Sequence, residues 1–343
     1  MTLQAFSDRI RDAADRRVAL RLRGGGSKDF YGNEARGELF DTRGYAGIVD
    51  YEPSELVLTA RCGTPLAEVE AALSGSGQCL PFEPPHFGAA TFGGCVAAGL
   101  SGPRRASAGA LRDFVLGVKL LDGRGRVMQF GGQVMKNVAG YDLSRLVAGS
   151  LGTLGLIAEA SLKVLPRAPL DLTLRLEMDE AGALDAMNLW AAQPLPISAT
   201  LWHAGLLEVR LSGSEAAVRD AKAKLGGTEL TDGWRSIREQ THPFFAGDAP
   251  LWRLSVPSTT PAVGLPNLIE WGGALRWARG GDAGEVRQTA KRAGGHATLF
   301  RSADKSAGAF APLEPALVRM HRALKSAFDP AGILNPGRLY AEI

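Results

Sequence analysis

Cysteine is scarce in this chain of 343 residues: Cys62, Cys79 and Cys95 are the whole set, odd in number and widely spaced. No C-x-x-C pair and no Cys/His cluster accompanies them, so neither a zinc site nor an iron–sulfur cluster is encoded and no metal site is expected. Reduced, buried thiols in a cytoplasmic protein are the expectation. Any electrons handled here must leave through something else. Long apolar runs are also missing, and none approaches the ~20 residues that cross a bilayer. The opening residues carry Asp8, Arg9 and Arg11 within their apolar pattern, which leaves no room for a signal-peptide core. Charge of one sign is lacking too. A formal net charge of +3 without a Lys/Arg run gives no reason to expect nucleic acid.

Glycine is what the chain has in quantity. In Val18 to Leu22, apolar Val18, Leu20 and Leu22 alternate with Ala19 and Arg21, the period of a half-buried strand. That strand runs into Arg23-Gly24-Gly25-Gly26-Ser27-Lys28, where residues without Cβ let backbone N–H groups gather around an anion. Thr91-Phe92-Gly93-Gly94, then Gly99 and Ser101-Gly102-Pro103-Arg104-Arg105, form a second small-residue stretch, expected to approach a large flat ligand as loop. Lys136 through Asp142 and Gly149-Ser150-Leu151-Gly152-Thr153-Leu154-Gly155 are two more.

Around these the pattern predicts an opening helix from Leu3 and a strand at Leu56–Arg61. A helix follows, capped by Thr64 with Pro65 at its first position, and then a strand at Cys79–Phe82. Val115–Leu121 and Arg126–Phe130 flank Asp122-Gly123-Arg124-Gly125, a hairpin signal. The second half reads β-α-β-β-α followed by a weak strand near Leu230, a ferredoxin-like order, with a capping box at Ser212 and Glu215. Further antiparallel strands and a helix over Ala283–Ala293 complete an α+β cap. The predicted division is 1–167, 168–327 and a closing segment 328–343.

Two nucleotide sites are excluded by spacing. Asp29 stands where a third glycine of G-x-G-x-x-G would fall, and the Gly149–Gly155 run enters a strand rather than leaving one. A Walker-type loop is absent. The four glycine-rich segments, with Phe328-Asp329-Pro330-Ala331-Gly332-Ile333-Leu334-Asn335-Pro336-Gly337, resemble the FAD-binding domain of the vanillyl-alcohol-oxidase and p-cresol-methylhydroxylase (PCMH) type. More narrowly, Leu80 to His86, Gly102 to Arg105, Phe130 to Leu146 and Gly294-Gly295-His296-Ala297 resemble the small FAD-binding subunits of bacterial glycolate oxidases. The resemblance implies an α+β fold with a two-subdomain FAD domain and an antiparallel-sheet cap. It implies oxidation of glycolate to glyoxylate in a complex with a larger FAD-linked subunit and an iron–sulfur subunit. The location implied is cytoplasmic, at the periphery of the inner membrane through that complex.

On this resemblance, Gly24, Gly25, Gly26 and Ser27 would wrap the FAD pyrophosphate, with Arg23 and Lys28 adding charge. Thr91, Gly93, Gly94 and Gly99 would lie along the cofactor; Gly149, Ser150, Gly152, Thr153, Gly155 and Ile157 would run beside its flavin or ribityl part. Asn335 belongs to the closing segment of the same site. The first loop contains neither histidine nor cysteine, so FAD is expected to bind without a covalent link. For a 2-hydroxy acid, Arg104 and Arg105 are the candidate carboxylate clamp and His296 the candidate base. The His-x-x-x-Gly-Asp-Gly-Asn-x-His type stretch of related catalytic dehydrogenases is missing from residues 170–327. That departure keeps two other readings open: a stand-alone FAD enzyme for another alcohol or hydroxy acid, and a flavin-carrying scaffold.

Overall fold

The computed structural model describes residues 1–132, 142–231, 233–265 and 267–343. Helix α1 (Leu3–Asp15) is capped by the Thr2 hydroxyl and turns Phe6, Ile10 and Ala13 inward. The alternating stretch after it forms β1 (Leu20–Arg23), which pairs in parallel with β2 (Glu38–Asp41). The chain's end lies along the other edge of β1: Leu20 N donates to Ile333 O at 2.7 Å and Asn335 N to Leu20 O at 2.9 Å. Strands β3 (Ile48–Glu52) and β4 (Val57–Arg61) follow. Helix α2 (Leu66–Gly75) comes next and buries Leu66, Val69 and Leu73 completely, each worth about 1.5–3 kcal/mol of transfer free energy.

Thr64 does not cap α2 as expected. Its hydroxyl accepts from Gly47 N and donates to Arg61 O, and Pro65 occupies the cap position. The strand expected at Cys79–Phe82 shrinks to β5 (Gln78–Cys79), because its partner offers only two residues. The stretch expected as loop after Thr91 contains helix α3 (Phe92–Ala98), with the Thr91 hydroxyl accepting from Gly94 N. Helical glycine is tolerated there because a Cβ on Gly93 would stand 2.5 Å from the Cys62 Cβ. A short helix α4 (Arg105–Ala108) precedes β6 (Val115–Leu121) and β7 (Val127–Gly131), the expected hairpin. The expected ligand stretch at Lys136 to Tyr141 lies outside the described residues. Helix α5 (Leu143–Val147), β8 (Leu156–Lys163) and β9 (Leu165–Pro166) end this half. Its five-stranded antiparallel sheet has the order β3-β4-β8-β6-β7, and α2 and α3 share an apolar core with it.

The second half begins β10 (Leu170–Glu177), α6 (Glu180–Ala191), β11 (Ile197–His203), β12 (Leu206–Gly213), α7 (Glu215–Leu225), β13 (Thr228–Leu230). Ser214, rather than Ser212, caps α7; Ser212 stays in β12 and donates to Ser198 Oγ at 2.6 Å. Helix α8 (Trp234–Arg238) leads to β14 (Leu251–Ser255), β15 (Asn267–Glu270), β16 (Leu275–Arg279), α9 (Ala283–Arg292) and β17 (His296–Arg301). All eight strands form one sheet, β13-β10-β12-β11-β15-β16-β14-β17. The first four lie in the 4-1-3-2 order of a ferredoxin-like unit. The last four repeat that order in mirror sequence, joined through β11 and β15. Helices α6 and α7 cover one face of the first unit and α9 that of the second. The opposite face packs on the first half through Tyr31, Leu100, Leu151, Trp271, Trp277 and Phe300.

Helix α10 (Pro315–Phe328) carries the chain back to β1. Lys325 in its last turn is buried, donating to Thr153 O at 2.8 Å and Leu334 O at 2.6 Å and pairing with Asp329 at 2.8 Å. Asp329, itself buried, accepts from Leu334 N at 2.7 Å. Lys325→Met strands a buried carboxylate and two carbonyls, so a loss of about 3–5 kcal/mol is expected. Urea unfolding followed by tryptophan fluorescence measures it; an unchanged midpoint would show that the pair does not hold the tail.

Candidate functional site

The glycine loop meets the second small-residue stretch at backbone distance. A Cβ on Gly25 would stand 1.5 Å from Ala89 O, and one on Gly24 would stand 2.1 Å from Thr91 Oγ1. Gly26 has φ +76°, which a side chain rarely tolerates. From Gly24 to Lys28 no backbone N–H has a hydrogen-bond partner among the described residues. A run of unpaired donors beside arginine is the chemistry of an anion nest.

The flanking cations are placed less simply than the sequence suggested. Asp29 Oδ2 accepts from Arg23 Nε and Arg21 Nη2, both at 2.7 Å, so Arg23 is held beside the loop by a carboxylate. Lys28 turns inward, donating to His86 O at 3.2 Å, and burial lowers its pKa. Cys95 lies beneath it. Burial pushes that thiol up to about 12, so it stays protonated.

Gly99 (φ +63°) and Gly149 touch, since a Cβ on Gly99 would stand 2.8 Å from Gly149 Cα. Ser150 Oγ is buried with no hydrogen-bond partner among the described residues, and Thr153 Oγ1 donates to Ser150 O. The Asn335 amide accepts from Leu22 N at 2.8 Å and donates to Leu151 O at 2.6 Å. Gly24, Thr42, Gly93, Gly94, Gly152, Gly155, Ile157 and Asn335 thus line one slot of about 60 Å³. Its donors suit a phosphate. Its volume is well below the ~300–1,000 Å³ of small-molecule pockets, so it takes only a fragment of a dinucleotide.

The three catalytic candidates do not converge. Arg105 lies over the Trp271 ring at 4.5 Å. Arg104, its neighbour, lines a different cleft with Cys79 and Arg167. His296 stands at the surface where β17 starts; partial desolvation of its ring and the nearby Arg253 lower its pKa. The sheet face that meets the first half carries two residues the sequence reading missed, Arg253 and Glu270. Arg253 lies over the same Trp271 ring at 5.0 Å and depresses the pKa of Arg105 after burial has done so. Glu270 is buried, accepts from Trp277 Nε1 at 2.7 Å, and burial pushes its carboxyl up to about 7. Both line a cavity of about 30 Å³ with Phe87, Gln240 and Phe300. A carboxylate after Leu268-Ile269 and before Trp271 was the available signal, because a charge in an apolar strand rarely lacks a reason.

Comparison with known proteins gives the following. The profile of the FAD binding domain family matches residues 2–131, and that of the C-terminal domain of FAD linked oxidases matches residues 306–339. The chain is 48% identical to the glycolate oxidase subunit GlcE of Escherichia coli (strain K12), over 99% of this chain and 98% of that protein. It is 32% identical to the glycolate oxidase subunit GlcD of Bacillus subtilis (strain 168), over 43% of this chain and 32% of that one. Among solved structures, alkyldihydroxyacetonephosphate synthase superposes with a TM-score of 0.66 at 15% identity, covering 97% of this chain and 74% of that chain. The last likeness is one of fold, and the expected α+β fold class agrees with it.

Gly25→Ala is expected to push the two loops apart and to lower the flavin bound per chain, read from visible absorbance, while circular dichroism stays unchanged. Retained flavin would remove this loop from the site. The Glu270 carboxyl holds a proton in the fold that an unfolded chain releases near 4.5. Stability therefore falls as pH rises from about 4.5 to about 7. Glu270→Gln is expected to flatten that slope in thermal melts, and a slope that persists would assign it to other groups.

Proposed function

Because this chain belongs to the family of the glycolate oxidase subunit GlcE, we propose that it is the FAD-binding subunit of a glycolate-oxidising complex. Likeness over nearly the full length of both chains is the observation that carries this reading. The overall reaction takes glycolate, a 2-hydroxy acid, to glyoxylate. A larger FAD-linked subunit of the GlcD kind and an iron–sulfur subunit complete the assembly, and electrons pass through them to a membrane carrier. Among the described residues no helix is long and apolar enough to cross a membrane, so attachment to the inner membrane comes through the partners. The division proposed with it is residues 1–167 as the FAD domain, 168–327 as the cap and 328–343 as the segment that returns to the FAD domain; the two large sheets lie on either side of its first boundary.

Bound FAD supplies a two-electron acceptor. Gly24 to Ser27 would offer their N–H groups to its pyrophosphate, Arg23 would add positive charge, and Thr91, Gly93, Gly94 and Gly99 would lie along the cofactor. Gly149 to Ile157 and Asn335 form the opposite wall, where the unpartnered Ser150 hydroxyl is free to bond the cofactor. Attachment is non-covalent, since the buried Cys95 thiol stays protonated and the loop holds no histidine. Arg105, with Arg253 beside the same indole, would orient a carboxylate at the cap face. This placement of Arg253 and Glu270 also favours a second reading, in which the chain oxidises a hydroxy acid alone.

Purified alone, the protein is expected to be yellow and to release all its flavin on acid precipitation. Anaerobic mixing with glycolate separates the two readings: bleaching only with the partner subunits present supports the first, and bleaching of the single chain supports the second. A colourless chain that rejects added FAD would overturn both.

A further inference from the structure

A second cleft, of about 490 Å³, opens on the side of the molecule where the two halves join. Its walls come from five places: Glu70 on α2, Cys79 on β5, Glu83 and Arg104 on the loops flanking α3, Arg167 on the crossing segment and Asp171 at the start of β10. Arg238 on α8 closes it. This volume falls within the ~300–1,000 Å³ of small-molecule sites.

The formal charges on these walls balance, three acids against three arginines, but they are not paired one to one. Glu83 Oε2 accepts from Arg210 Nη2 at 2.9 Å and from Arg104 N at 3.0 Å. Glu70 pairs with His86 Nε2 at 3.0 Å and lies 3.6 Å from Arg238 Nη1. Arg238 in turn pairs with Glu239 at 2.9 Å. Glu83 is therefore taken up by Arg210, whereas Glu70 shares Arg238 with Glu239. Arg104 and Arg167 have no carboxylate partner among the described residues, and Arg104 Nε is buried without any hydrogen bond. Arg167 Nε meets only the Gln78 carbonyl, at 3.3 Å. Asp171 lines the cleft beside these two guanidinium groups. Both arginines also act on Cys79, lowering its pKa against the larger effect of burial.

We propose that this cleft binds a small carboxylate anion, of two to four carbons, between Arg104 and Arg167. A planar carboxylate accepts the paired N–H groups of a guanidinium in a fork, and the stranded Arg104 Nε gains the partner it lacks. Arg104 and Glu70 belong to the first half of the chain and Arg238 to the second, with Arg167 at the crossing. An anion held among them couples the two halves, and its affinity depends on their being together. The site needs no flavin and stands whether or not the chain oxidises its ligand.

Cys79 provides the readout. It is partly exposed, whereas Cys62 and Cys95 are buried, so a thiol reagent such as 5,5′-dithiobis(2-nitrobenzoate) labels the full-length native chain first at the cleft. Glycolate and oxalate are expected to slow that labelling saturably, and inorganic phosphate to slow it much less. Arg167→Gln, at an exposed side chain, should raise the concentration for half-protection about tenfold, as loss of a charge-assisted pair does. Arg104→Gln should act in the same direction, and Arg219→Gln on the far surface should change nothing. Protection that survives Arg167→Gln overturns the site, as does its absence in the unsubstituted chain. Equal protection by phosphate overturns the carboxylate assignment. Flavin absorbance of the same samples reports separately on the proposed cofactor.

Discussion

One side-chain amide ties the molecule together. Asn335, buried and at φ +42°, accepts from Leu22 N on β1 and donates to Leu151 O in the glycine-rich loop before β8. It thereby fixes three segments separated by most of the chain: the strand that feeds the glycine loop, the loop before β8, and the returning tail. Lys325 and Asp329 set the tail's position by satisfying the carbonyls of Thr153 and Leu334 and the N–H groups that follow the helix. Every element of the proposed FAD slot stands on this tie, because the slot's walls are backbone. Backbone walls are useful only when their spacing is held from outside.

The join between the two halves is governed by a different balance. Its centre is aromatic, with Trp277 and Phe300 at 4.9 Å and Tyr31 and Phe300 at 5.2 Å. Trp271 reaches across to donate from Nε1 to Gly102 O at 3.0 Å. Around that centre arginines lie over rings: Arg105 and Arg253 on Trp271, and Arg301 on Phe30. Stacked guanidinium groups keep their N–H edges available. A surface of this kind suits carboxylate ligands, and it explains why both proposed anion sites lie along the same seam.

Much of the fold could be read from pattern. The β1 alternation, the Asp122–Gly125 hairpin and the β-α-β-β-α order all use local rules, and the structure follows them. The misreadings share a cause. Thr64 was assigned a cap, yet its hydroxyl serves Gly47, a residue brought near by β3 and β4 pairing. Ser212 was assigned another, yet the pairing of β12 extends far enough to claim it. The glycines after Thr91 read as loop by propensity, whereas close packing against Cys62 is what a helix of small residues permits. In each case a long-range contact outweighed a preference of a few tenths of a kcal/mol up to about 1 kcal/mol.

The sequence by itself determined where backbone could approach backbone, since a missing Cβ is a local property that glycine carries anywhere. It therefore determined the glycine loops and the composition of the proposed FAD slot. It also determined that no cysteine or histidine in the first loop could bond a flavin. Which cations face one another was decided only by the tertiary structure. Arg104 and Arg105 are adjacent in the chain but serve different clefts, and Arg105 finds its neighbour in Arg253, on a strand of the other half. Charge pairing depends on distances that the packing of two sheets sets, and no local pattern records them.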